Sequence, residues 1–253
     1  MRIVLLLFAC LLASGCQPKM EMAPPVEPPA VPMERTGEFD RQWTHACTPL
    51  VLDIYCQNDV DWQALGQEQR VVGVIHKATV GTRTIDPMYV QRKEEAKARG
   101  YLWGSYHLGK AGNPEQQADY YIDTVKPAPD EFVALDLEDV TSAKYMRAGE
   151  ALRFIKRVKE RLGRYPAVYV NHKSAAYIAK HYKNTEFALT PLWYARYKET
   201  VSDFPDGAWK TYALWQFSCE VNNQIMVKGV GPDADINVYN GTLEQLKKAW
   251  PLL

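Results

Sequence analysis

The chain has 253 residues, 47% of them hydrophobic and 24% charged, a composition that excludes wholesale disorder, collagen and a polytopic membrane protein. At roughly 100 to 200 residues per domain it fits one large core with appendages. Thirty Lys and Arg cancel thirty Asp and Glu, so the basic excess needed for phosphate contacts is missing and nucleic acid is not an expected partner.

Taken in chain order, Met1-Arg2 leads into an apolar run over residues 3–13, too short for a bilayer span of about 20 residues but the length of a signal-peptide core. The run ends LLASGC, which resembles the lipobox of bacterial lipoproteins. That resemblance implies a signal peptide over residues 1–15, acylation of Cys16 and a membrane anchor through its lipid. Gln17, rather than aspartate, follows the cysteine, which points to the periplasmic face of the outer membrane in a Gram-negative cell. Residues 17–40 hold Pro18, Pro24, Pro25, Pro28, Pro29 and Pro32. Proline removes sheet donors and stops helix propagation, so residues 16–42 read as the lipidated cysteine and an extended tether, with the folded domain over 43–253.

The domain contains Cys47, Cys56 and Cys219. Export permits disulfides. Cys47 and Cys56 flank one extended run that would hold them apart, so Cys56 with Cys219 is the expected pair. There is no CxxC or HExxH, so neither a metal nor another cofactor is expected.

Eight apolar, β-branched or aromatic runs then recur: PLVLDIY from Pro49, VVGVIHKA from Val71, YLWGSYHL from Tyr101, EFVALDLE from Glu131, PAVYVN from Pro166, PLWYARY from Pro191, YALWQFS from Tyr212 and DINVYN from Asp235. Runs apolar on both faces suit a sheet covered on both sides. Helix signals lie between them. Asp86-Pro87 opens a segment ending at Gly100, and Asn113-Pro114 opens one with Ala118, Tyr121, Ile122 and Val125 on one face. A longer stripe, Ala148, Ala151, Leu152, Ile155, Val158 and Leu162, stops at Gly163. Residues 198–211 and 220–234 carry turn residues instead, and Thr242 caps a closing helix. The pattern predicts an α/β fold, a modified TIM-like barrel of eight strands whose second half lacks several outer helices.

Catalytic groups of such barrels gather at the C-terminal strand ends. Those ends supply Asp53, His76 with Lys77, Tyr106 with His107, Asp136 with Glu138, Tyr169 with Asn171, Arg196 and Gln216. Asp136 and Glu138 are two apart in a strand and so share a face. A carboxylate beside a carboxyl kept protonated is what acid-assisted glycoside cleavage needs. Tyr106, Tyr169, Trp193, Tyr194 and Trp215 offer ring faces for sugars, and Tyr106, Tyr169 and Trp215 are taken with Arg196 and Gln216 as substrate-binding residues. His107 and His172 read as structural. A thiol nucleophile built from Cys56 with His76 or His107 is a weaker alternative.

These residues resemble the lysozymes (muramidases) of glycoside hydrolase family 25, of the Chalaropsis type. The likeness runs from Leu52 to Leu246 and rests on LDI followed by VDW, IHKATVGTRTIDPMY, GSYHLGK, VALDLED, AVYVN, PLWYARY, ALWQFS and DINVYNG in that order. It implies an incomplete β/α barrel that hydrolyses the β-1,4 bond between N-acetylmuramic acid and N-acetylglucosamine, with peptidoglycan strands as partner. It places the four catalytic acids on Asp53, Asp136, Glu138 and Asp235. The family pattern close to DVSHWQG reads DIYCQND from Asp53, and its KATEGT reads KATVGT from Lys77, with Val80 for a carboxylate. These departures bear on the substrate subsites. They also leave a second reading, an inactive glycan-binding or scaffold lipoprotein on the same barrel.

Overall fold

The computed structural model describes residues 39–40, 42–219, 222, 224–231 and 234–253. The signal peptide, Cys16 and most of the tether lie outside the described residues. Every apolar run forms a strand of one closed barrel: β1 (Leu50–Ile54), β2 (Val71–Val80), β3 (Leu102–Leu108), β4 (Phe132–Leu137), β5 (Ala167–Asn171), β6 (Leu192–Ala195), β7 (Leu214–Ser218) and β8 (Asp235–Tyr239). Strands β1 to β7 pair in parallel in chain order. The barrel is not wholly parallel, because β8 closes it antiparallel to both β7 and β1.

Period-two alternation divides each strand between two cores. Val51, Ile75, Tyr106, Phe132, Ala134, Trp193 and Leu214 fill the interior, while Leu52, Val74, Leu135, Val168, Tyr194, Trp215 and Val238 face outward. The interior is tight at Gly104, where an added Cβ would lie 2.9 Å from the Phe132 ring.

Helices cover the first half from outside: the single turn α1 (Trp62–Leu65), then α2 (Tyr89–Ala98), α3 (Pro114–Val125) and α4 (Ala148–Leu162). Helix α3 starts at its proline and α4 stops at Gly163, which adopts φ 71°. Helix α2 starts later than its Asp86-Pro87 signal. Asp86 accepts from the Met88 and Cys56 N–H groups, so its carboxylate ties the helix entrance to the loop after β1.

The second half carries one outer helix that the sequence reading omitted, α5 (His172–His181), capped by Asn171. No helix follows β6 or β7 among the described residues, and α6 (Leu243–Ala249) ends the fold under its Thr242 cap. The bare outer face of β7 is covered instead by the segment entering the barrel. Trp43, buried, stacks on Phe217 at 4.4 Å and meets Trp215 edge-on at 5.2 Å. Just before it Phe39–Asp40, within the stretch read as tether, pairs antiparallel with Thr200–Val201.

The expected disulfide is absent: Cys56 and Cys219 are both thiols, as is exposed Cys47. Strand β8 lies between the strands that lead to them. Two spacings of about 4.8 Å exceed the roughly 7 Å reach of a disulfide.

Candidate active site

The C-terminal ends of β1 to β7 open on one side. Because β8 is antiparallel, its first residue joins them, and Asp235 is the register partner of Asp53. Asp53, Tyr106, Asp136, Glu138, Tyr169, Trp193 and Asp235 line a cleft there. The space between these side chains is about 60 Å³. Clefts of about 470 and 490 Å³ lie elsewhere, around Trp209 and Tyr239 and around Trp62 and Tyr101, but neither holds a pair of carboxylates.

The side chains of β7 and β8 fix Asp53. Its Oδ2 accepts from Gln216 Nε2 at 2.9 Å and from Asn237 Nδ2 at 2.8 Å. Gln216 Oε1 in turn accepts from the hydroxyls of Tyr169 at 2.9 Å and Tyr197 at 2.7 Å. Trp193 donates from Nε1 to Asn237 Oδ1 and packs edge-on against Tyr169 at 5.0 Å. Amide, indole and phenol groups thus lock one another's rotamers around the acid.

Burial pushes Asp53 up to about 6, with Glu138 adding to the rise and the two amide donors opposing it. Asp136 is driven well above the usual carboxylate range, first by burial and then by Glu138 and Asp53. Its buried Oδ1 has no hydrogen-bond partner. Glu138 is also raised by burial, while Lys110 and Lys77 pull it down. Burial thus raises the proton affinity of all three carboxyls, and groups that interact in this way titrate as a unit. Asp136 is the deeper of the β4 pair and Glu138, half-buried, the nearer to the mouth.

The backbone of Glu138 is held by the helix missing from the sequence reading. Its carbonyl accepts from Asn171 Nδ2 at 2.6 Å and from Ser174 Oγ at 3.2 Å, and Asn171 Oδ1 accepts from the Ser174 N–H at the start of α5. A polar residue at a strand end followed by a cap-compatible spacing is the signal that could have revealed it.

Of the sequence candidates, the four acids, Tyr106 and Tyr169 line the cleft and Gln216 stands behind them. Two others are elsewhere. Trp215 is fully buried on the outer face, donating to the Arg196 carbonyl. Arg196 turns its guanidinium to Asp203. Trp193, Tyr197 and Asn237 are the unselected residues that complete the network. His107 bonds Thr79 and Gln117 in the core, and His172 meets the Tyr194 hydroxyl at 2.7 Å. No thiol–imidazole nucleophile forms here. His76 is buried against Arg92 and depressed to about 4, while burial and Asp86 raise the Cys56 thiol, disfavouring the thiolate such chemistry needs.

A barrel that gathers acids of raised proton affinity at its mouth, with aromatic rings beside them, has the site of a glycoside hydrolase. The chain belongs to the glycosyl hydrolases family 25, whose sequence profile matches residues 52–225. Among curated proteins it is similar to "Uncharacterized protein YegX" of Escherichia coli K12, 29% identical over 199 residues that cover 76% of this chain and 69% of YegX. Among solved structures, a bacterial lysozyme from Streptomyces coelicolor shares the fold with a TM-score of 0.69 at 22% identity, covering 82% of this chain and 99% of that one. A muramidase from Trichobolus zukalii does so with a TM-score of 0.65 at 24% identity, covering 80% and 99%. The CTP1L endolysin is 27% identical with a TM-score of 0.59, over 79% of this chain and 69% of its own.

Proposed function

We propose that the protein is a peptidoglycan muramidase, hydrolysing the β-1,4 bond between N-acetylmuramic acid and N-acetylglucosamine. The observation that carries this reading is the convergence of Asp53, Asp136, Glu138 and Asp235 on one cleft. Glu138, at the mouth and with raised proton affinity, delivers a proton to the glycosidic oxygen. Asp136, which lines the cleft, accepts the N–H of the 2-acetamido group. Its carbonyl oxygen then attacks the anomeric carbon as an internal nucleophile, a course used by some acetamido-sugar hydrolases. Tyr106, Tyr169 and Trp193 bound the space where the ring would pass.

Digestion of purified peptidoglycan should release new reducing ends on N-acetylmuramic acid, read by mass spectrometry. Glu138→Gln should lower turnover by roughly two to four orders of magnitude while keeping the fold. NMR of the first product should show the β-anomer, and an initial α-anomer would replace the internal nucleophile by an activated water. A chain that binds the wall but yields no new ends is the scaffold reading. The lipobox resemblance supports a further reading, an exported lipoprotein on the periplasmic face of the outer membrane of a Gram-negative cell. Cys16→Ala should then abolish palmitate labelling and release the protein from the membrane fraction.

A further inference from the structure

The ionised acids at a cleft mouth repel an anionic polymer, so a strand bearing carboxylates needs cations at the point of entry. Lys77 and Lys110 stand at that point. Lys77 is near the end of β2, in register with cleft-lining Tyr106. Lys110 follows β3 beyond Gly109, whose N–H donates to the Asp136 carbonyl. The Lys110 chain runs along Gly81, just past the end of β2, at 3.4 Å from a Cβ built there.

Both ammonium groups lie within electrostatic reach of Asp136 and Glu138, yet each rests on a ring instead of a carboxylate. Lys77 Nζ lies 3.8 Å from the Tyr55 ring centroid and Lys110 Nζ 4.5 Å from that of Tyr145, which Lys144 Nζ also approaches at 5.2 Å. The Tyr55 platform is itself built. Buried Arg92 donates to the Tyr55 carbonyl at 2.6 Å, Asn58 Oδ1 accepts the Tyr55 N–H at 2.7 Å, and Asp86 holds the next N–H, that of Cys56, at 3.0 Å. This is the loop where the chain departs from the family pattern, and Val80 removes the carboxylate nearest in sequence to Lys77. A half-buried cation on a ring keeps its charge available to a ligand.

We propose that Lys77 and Lys110 are specificity residues that bind a carboxylate on the C3 arm of the muramoyl unit, either the lactyl carboxylate itself or one on the attached peptide. The inference rests on the muramidase reading and adds the group that selects its substrate. Charge-assisted pairing at the rim favours the anionic glycan over a neutral one by roughly tenfold in KM, with kcat little affected.

The test uses three glycans: peptide-free strands with lactyl carboxylates, the same strands with those carboxyls converted to amides, and peptide-bearing strands. Wild type should show a KM on the amidated glycan roughly tenfold above that on a charged one. The preference should collapse toward one in Lys77→Gln and Lys110→Gln and survive in Lys77→Arg and Lys110→Arg. A preference confined to peptide-free strands assigns the lactyl carboxylate, and one confined to peptide-bearing strands assigns the peptide. In wild type, a KM on the amidated glycan equal to that on both charged glycans, or an unchanged preference in both Gln variants, overturns the proposal alone. No new reducing ends from any glycan removes the muramidase reading and the proposal with it.

Discussion

At Asp53, burial and hydrogen bonding act in opposite directions. Two amide donors favour the anion, but burial dominates and raises the carboxyl from 3.8 to about 6. The folded chain therefore holds an extra proton between about pH 4 and 6. Stability falls as pH rises through that window, and the loss is complete above it. Asp53→Asn keeps an oxygen for both donors and removes the charge. It should raise stability at pH 7 by about 3 kcal/mol, leave it nearly unchanged near pH 4, and depress turnover. Urea unfolding at the two pH values measures this, and a variant less stable than wild type at pH 7 would sink the account. The acids were legible as residues because Asp136 and Glu138 share a strand face and Asp53 ends an apolar run. Trp215 and Gln216 were both selected although neighbours in a strand point to opposite faces. Alternation within β7 assigns Gln216 to the site and Trp215 to the outer core. Arg196 misled for another reason: an arginine past a strand end can find a local carboxylate, here Asp203.

Among the elements, the strands and the amphipathic helices α3 and α4 were readable from their apolar spacing. Helix α5 was not. It begins directly after β5, and its buried face is made of Ser174, Ala175, Ile178 and Ala179, too small a set to form an apolar stripe. The aromatic patch on β7 carries a prediction at this scale. With no helix outside β7 among the described residues, Trp43 supplies the cover for Trp215 and Phe217. Trp43→Ala should cost roughly 3 to 5 kcal/mol, as for a buried tryptophan in a core. Chemical denaturation gives the value, and a loss below about 1 kcal/mol would mean that the entering segment does not seal the barrel wall. Because Phe39–Asp40 pairs with Thr200–Val201, the boundary between tether and domain is set by this packing and not by the last proline.

For the whole molecule, the eight-strand barrel and its thin second half followed from composition and punctuation, but the direction of β8 did not. A five-residue run, DINVY, reads the same whichever way it enters a sheet. Its direction places the residues that hold Asp53 at the far end of the chain: Gln216 and Asn237 lie 163 and 184 positions from it in sequence. Contacts of such separation form late, after the entropy of closing long loops has been overcome. A chain that lacks β8 therefore has Asp53 without its Asn237 donor and a barrel without its last stave. Closure of the barrel and completion of the Asp53 site become the same event. A chain ending at residue 231 should show no cooperative unfolding and no glycan cleavage, whereas supplying residues 234–253 in trans should restore both. A polypeptide without its final strand thus has the acids of the site but not the frame that holds them.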